Sequence, residues 1–197
     1  MSDFWINFTL GLKHMLQSVA HNDILFLLVL MIPFEKKAWK KIVILISLFI
    51  SCHTFSLLLT VFNILTLKIN IIVFIISLLI LIIALYNLLF YERATKNNSL
   101  TFVAVVTSIF GIFHGLGFAN YFNSHFTGKP TDKLLPLFEY SLGFGFSQII
   151  FVAAILLIAH IIQTSLKFSK RDWILIVSAF VVGVIIPIII KSKIWIK

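Results

Sequence analysis

Three of the six histidines in this chain, His14, His53 and His114, lie in or beside stretches otherwise fit only for lipid. His114 is the most conspicuous, set in Phe110–Asn120 among Gly111, Gly115 and Gly117. An imidazole within a membrane span costs on the order of a few kcal/mol unless it faces the protein interior and finds partners, so each is a candidate functional residue. Asp23, Glu139 and Gln148 are the polar side chains most able to join them. Imidazoles and carboxylates are the ligands that nickel, zinc and copper accept, and histidines from separate helices can hold such an ion with water in the open positions. In such a site His114 is the central ligand, Asp23 and Glu139 attract the cation, and Gln148 orients a ligand or water. A histidine on a membrane helix also serves as an interhelical hydrogen-bonding residue, and residue type alone leaves both uses open.

Other chemistries find less support. Catalysis needs a nucleophile beside a base, or a metal with a base near it, and no HExxH motif or P-loop occurs. His21 and Asp23, at i and i+2, do not share a helix face. The chain is therefore expected to be no enzyme and to carry no organic cofactor. Ser51, Thr54 and Ser56 read as packing and back-bonding residues, the three glycines as points of close helix approach, and His125 and His160, near helix ends, as bystanders.

The elements that must position these residues are membrane helices. Sixty per cent of the 197 residues are apolar and 12% charged, and the mean hydropathy is +1.09, far from the roughly half-apolar, quarter-charged soluble average. Apolar runs separated by short charged joints predict an all-α polytopic bundle, since a backbone in hydrocarbon must satisfy its own hydrogen bonds. Six segments are expected, in one domain covering 1–197. Residues 4–18 read as an interfacial or half-inserted helix, Ile24–Phe34 as a run short for a span of roughly 20 residues, and full spans follow at 42–67, 71–90, 100–121, 135–163 and 173–190. His14, His21, Asn22 and Asp23 are expected at the outer surface, and His53, His114, Glu139 and Gln148 deeper in the outer half.

The net charge of +9 does not indicate nucleic acid, because the lysines cluster at the ends of apolar runs. Placing joints 35–41, 92–98 and 167–172 in the cytoplasm collects nine of the sixteen Lys and Arg there. That predicts a multi-pass membrane protein with both termini outside. The single Cys52 excludes an internal disulfide, and no cleavable signal peptide is evident.

Nearly the whole chain resembles the HupE/UreJ family of membrane proteins. The residues that carry the likeness are Gly11-Leu12-Lys13-His14, Ile24–Leu28, Ser51–Leu57, Asn87, Phe110–Asn120, Leu134–Gln148 and Ser169–Leu175. The resemblance implies transport or binding of a divalent transition metal, nickel above all, with His14, His53 and His114 as the matching motif positions. The chain departs from the family pattern where that pattern has Asp-His and this sequence has Asn22-Asp23, and where it has acidic residues and this sequence has Val73 and Gly145. These departures predict a site short of negative charge. The alternative they raise is a divergent accessory subunit whose partner is another membrane protein.

Overall fold

The computed structural model describes residues 2–16, 21–92, 100–126 and 128–192. It is an all-helical bundle: α1 Ser2–Leu12, α2 His21–Met31, α3 Trp39–Val61, α4 Ile69–Leu89, α5 Leu100–His125, α6 Leu134–Ser165 and α7 Lys170–Lys191. Single 3-10 turns lie at His14–Leu16, Lys36–Ala38 and Pro130–Lys133. Helices α3 to α7 are each long and apolar enough to cross a membrane.

The helix boundaries have local causes. α3 ends because Asn63 takes a left-handed conformation (φ 56°), and Asn63 and Ile64 donate back to the Thr60 and Leu59 carbonyls at 2.9 Å. This reciprocal pair closes a helix C-terminus. α7 begins at Ser169, whose hydroxyl accepts from the Asp172 amide at 3.1 Å. Pro136 falls in the first turn of α6, where its missing N–H is harmless.

The beginning of the chain differs from a full span. α1 and α2 have 11 residues each, roughly 16 Å, about half a hydrocarbon core. His14, on the 3-10 turn that follows α1, is held inside the bundle instead of at its surface. Apolar cover comes from α1 lying along α6. The Cβ that Gly143 lacks would strike the Phe8 carbonyl, and one on Gly11 would strike the Tyr140 carbonyl. Non-helical backbone at such depth is tolerated only where protein buries it or a cavity needs it.

α3 and α5 form the most extensive helix pair, followed by α1 with α6 and α4 with α7. Phe26, Phe49, Phe110 and Phe144, all fully buried, fill the centre, with Phe26 and Phe110 stacked 3.6 Å apart.

Two of the three basic joints are tied to one end of the bundle directly: Lys170 Nζ lies 2.7 Å from Glu35 Oε1. Arg171 of the same joint sits over the Tyr91 ring at 5.2 Å, beside the third. The Lys170 ammonium, through its hydrogen bond and its charge, holds the Glu35 carboxyl below its ordinary 4.5. A carboxylate so lowered contributes stability above 4.5 that is lost as pH falls through the lowered value. Both side chains are substantially water-exposed, so the effect is small. Thermal unfolding in detergent should show a slight loss as pH falls below 4.5 that Lys170→Met removes.

Candidate metal centre

Four ionisable side chains from four elements converge inside the bundle. His14 stands on the 3-10 turn after α1, Asp23 in the first turn of α2, His53 on α3 and His114 on α5. Asp23 and His53 are 0% exposed and His14 1%; the His114 side chain is 11% exposed. The half-length α2 is what brings a carboxylate here, because its N-terminus starts within the bundle. Its unpaired amides favour negative charge at that point.

The contacts run as a chain. His14 Nε2 lies 3.0 Å from Asp23 Oδ2, His114 Nε2 2.6 Å from Asp23 Oδ1, and His114 Nδ1 3.0 Å from His53 Nδ1. Three neutral imidazoles carry three N–H groups, one each. These serve all three contacts only if His14 and His114 turn Nε2–H to Asp23 and His53 donates to His114. That arrangement leaves His14 Nδ1 and His53 Nε2 as buried lone pairs, and both lack a partner. The approach of His114 Nε2 to Oδ1 lacks hydrogen-bond alignment. With the His114 proton moved to Nδ1, the Nε2 lone pair and Oδ1 would oppose each other, and a shared cation would relieve that opposition.

Ligand atoms of His14, Asp23 and His114 all lie within 4.8 Å of one another. The donor set, two imidazole nitrogens and a carboxylate oxygen, suits a borderline divalent ion. A carboxylate fully removed from water costs several kcal/mol unless compensated, and the ion-pair partners of Asp23 among the described residues are the two histidines. An ion of charge +2 would offset that cost. The residues therefore fit a metal.

Aromatic rings close the surroundings. Phe144 stacks against His114 at 6.0 Å and 8° and lies 4.4 Å from His53. Phe118 meets His14 edge-on at 4.8 Å, and Phe110 stacks below His114 at 5.9 Å. This sleeve lowers the local polarity and strengthens every charge interaction inside it.

The structure sorts the remaining sequence candidates. Glu139 is buried, but it accepts a hydrogen bond from Asn7 Nδ2 at 2.7 Å and stands outside the cluster, joining α1 to α6. Gln148 is fully buried with neither amide atom partnered; it lies one helical turn beyond Phe144, on the same face. His53 reaches the cluster through His114 and is not one of the three mutually adjacent ligands. Asp23, expected at the outer surface, is in the interior, and the site does carry negative charge. His21 remains exposed. Ser56 Oγ donates to the Ile112 carbonyl at 2.6 Å, tying α3 to α5.

Sequence reasoning missed Asn7, whose partner is 132 positions away, and Phe144, indistinguishable in sequence from the other phenylalanines. Gly11 and Gly143 were the available signal for the α1–α6 contact. Asn7→Leu should leave the Glu139 carboxylate buried and unpaired, costing about 2–3 kcal/mol. Thermal unfolding in detergent would read this, and Asn7→Leu combined with Glu139→Leu should recover most of the loss.

The family model described as HupE / UreJ protein matches residues 1–192. No match to the chain was found among curated proteins or among solved structures.

Proposed function

The chain belongs to the HupE/UreJ family, and from that premise we propose that it binds a divalent transition metal of the nickel class and carries it across the bacterial inner membrane. Family membership makes it a metal-related membrane protein; the particular ion and its movement are our reading. The observation that carries this reading is the buried cluster of His14, Asp23 and His114, whose ligand atoms lie within 4.8 Å of one another. His14 and His114 supply nitrogen lone pairs, Asp23 supplies oxygen and the offsetting charge, and His53 orients His114 through its Nδ1. Ligation uses lone pairs, so loading displaces the protons that face Asp23.

In the proposed orientation the basic end holding Glu35 and Lys170 lies in the cytoplasm and both termini lie outside. The metal site then sits in the outer half, and Gln148 is the next buried polar group without a partner on the way inward along α6.

Nickel uptake into cells producing the full chain tests the proposal. His114→Ala should reduce it to background while His125→Ala, at the exposed end of α5, retains it. Undiminished uptake in His114→Ala would refute the site. If the wild type binds no metal and co-purifies in fixed ratio with another membrane protein, the accessory-subunit reading replaces transport.

A further inference from the structure

A cavity of about 100 Å³ adjoins the metal-binding cluster. His14 and His114 line it, together with Asn22, Val73, Gly117 and Tyr121. Its remaining wall is apolar, aliphatic on the α4 side at Ile69, Ile72 and Ile76 and aromatic at Phe118 of α5. That volume holds a few water molecules. Asn22 opens α2, the isoleucines and Val73 occupy the first two turns of α4, and His114 to Tyr121 form the later turns of α5. All three helix regions face the same end of the bundle, opposite the end tied by Glu35 and Lys170. At the inner side lies the fully buried His14, whose Nδ1 has no partner; at the other, Ile69 is 47% exposed.

We propose that this cavity is the water-filled antechamber through which the cation reaches His14, Asp23 and His114, between the start of α4 and the later turns of α5. The inference rests on those three residues being the cation site and adds the route to it. Two features of the chamber suit a divalent ion shedding its hydration shell. The polar groups sit on one side, where the ligands are, and the aliphatic wall offers no competing ligand that would trap the ion before it arrives. Gly117 sets the width. A Cβ there would meet Ile72 Cγ2 at 3.1 Å and Ile69 Cδ1 at 3.9 Å, contacts that narrow the chamber without displacing a backbone.

Thiol accessibility in the purified full chain tests the route. With Cys52 replaced by alanine, single cysteines are introduced by Val73→Cys, Ile69→Cys and, as references, Lys129→Cys and Gly183→Cys. Lys129 is exposed at the same end, and the position of Gly183 meets nothing within 4 Å, on a face left to lipid. Labelling by a small permanently charged cationic methanethiosulfonate is followed by intact-protein mass spectrometry, with and without nickel, and nickel binding is titrated on the same samples. A thiol reacts as thiolate and needs water to ionise, so Val73→Cys should label at least about tenfold faster than Gly183→Cys. Saturating nickel should slow it several-fold. Ile69→Cys, at the rim, should label in the same way and covers the case in which Val73→Cys does not fold.

Failure of both chamber cysteines to label while Lys129→Cys labels would overturn the antechamber; if nickel still binds stoichiometrically, the metal site survives that result. Labelling that bound nickel does not slow would show a wet cavity that is not the route, which also overturns the proposal. Absence of nickel binding in every sample would remove the site itself, and the route with it.

Discussion

Asp23→Asn is expected to weaken nickel binding by about 100-fold or more, beyond the 10–100-fold that outer-shell substitutions cost, while the bundle stays folded. The two consequences separate because the amide has nearly the shape of the carboxylate. In the metal-free protein an amide can accept from one imidazole and donate to the other, keeping His14 and His114 in place. What it cannot supply is charge. Two neutral imidazoles would then face a +2 ion in a sleeve of phenylalanines, where nothing else among the described ion pairs offsets it. Calorimetric titration in detergent, beside thermal unfolding of the same samples, reads both quantities. Binding retained within a few-fold would mean that Asp23 is only a structural partner of the two histidines.

The second large effect concerns the frame. Gly115→Leu should abolish accumulation of folded protein, because the α3 and α5 backbones touch at this residue. A Cβ there would collide with the His53 carbonyl and stand 3.0 Å from Ser56 Cβ and 3.1 Å from the Leu57 amide nitrogen. Backbone cannot yield as a flexible side chain can, and overpacking a well-filled interior costs about 1–3 kcal/mol or more. Separating the helices also breaks the Ser56 to Ile112 hydrogen bond and the contact between the two Nδ1 atoms. Gly183→Ala is the matched control, since a Cβ there meets nothing within 4 Å. Size-exclusion profiles and yield after extraction distinguish the two variants. A monodisperse Gly115→Leu protein would show that α3 and α5 are not so tightly joined.

Hydropathy made the bundle and its five long helices legible, because lipid punishes any unsatisfied backbone and charge at every position. The observed limits of the five long helices fall within four residues of the apolar runs except at the end of α3, which stops at Val61 where the run continues to Leu67. The histidines could be picked out for the same reason. Depth at the N-terminal end was not legible. The shortness of Ile24–Phe34 signalled an irregular element, but whether His14 and Asp23 lay at the surface or inside depended on α1 covering them, and that depended on two glycines far apart in sequence. The sequence reading therefore put Asp23 outside and judged the site poor in charge, whereas position 23 holds the carboxylate between His14 and His114.

The other departures from the family pattern sort themselves by place. Val73 lines the chamber beside both histidines, so an acidic residue missing there leaves an apolar wall. Gly145 faces the Ile50 side chain, 3.1 Å from where its Cβ would stand. Glu139 looked available from its depth alone and proved committed to Asn7, a pairing no local pattern encodes.

The most direct test of the central claim is X-ray absorption at the nickel edge on purified, nickel-loaded protein, with metal content measured on the same sample. The result expected is one nickel per chain in a nitrogen and oxygen shell with the outer-shell scattering of two imidazoles, lost in His14→Ala and in His114→Ala. Nickel absent at stoichiometric loading, or bound with no imidazole in its shell, would contradict the account.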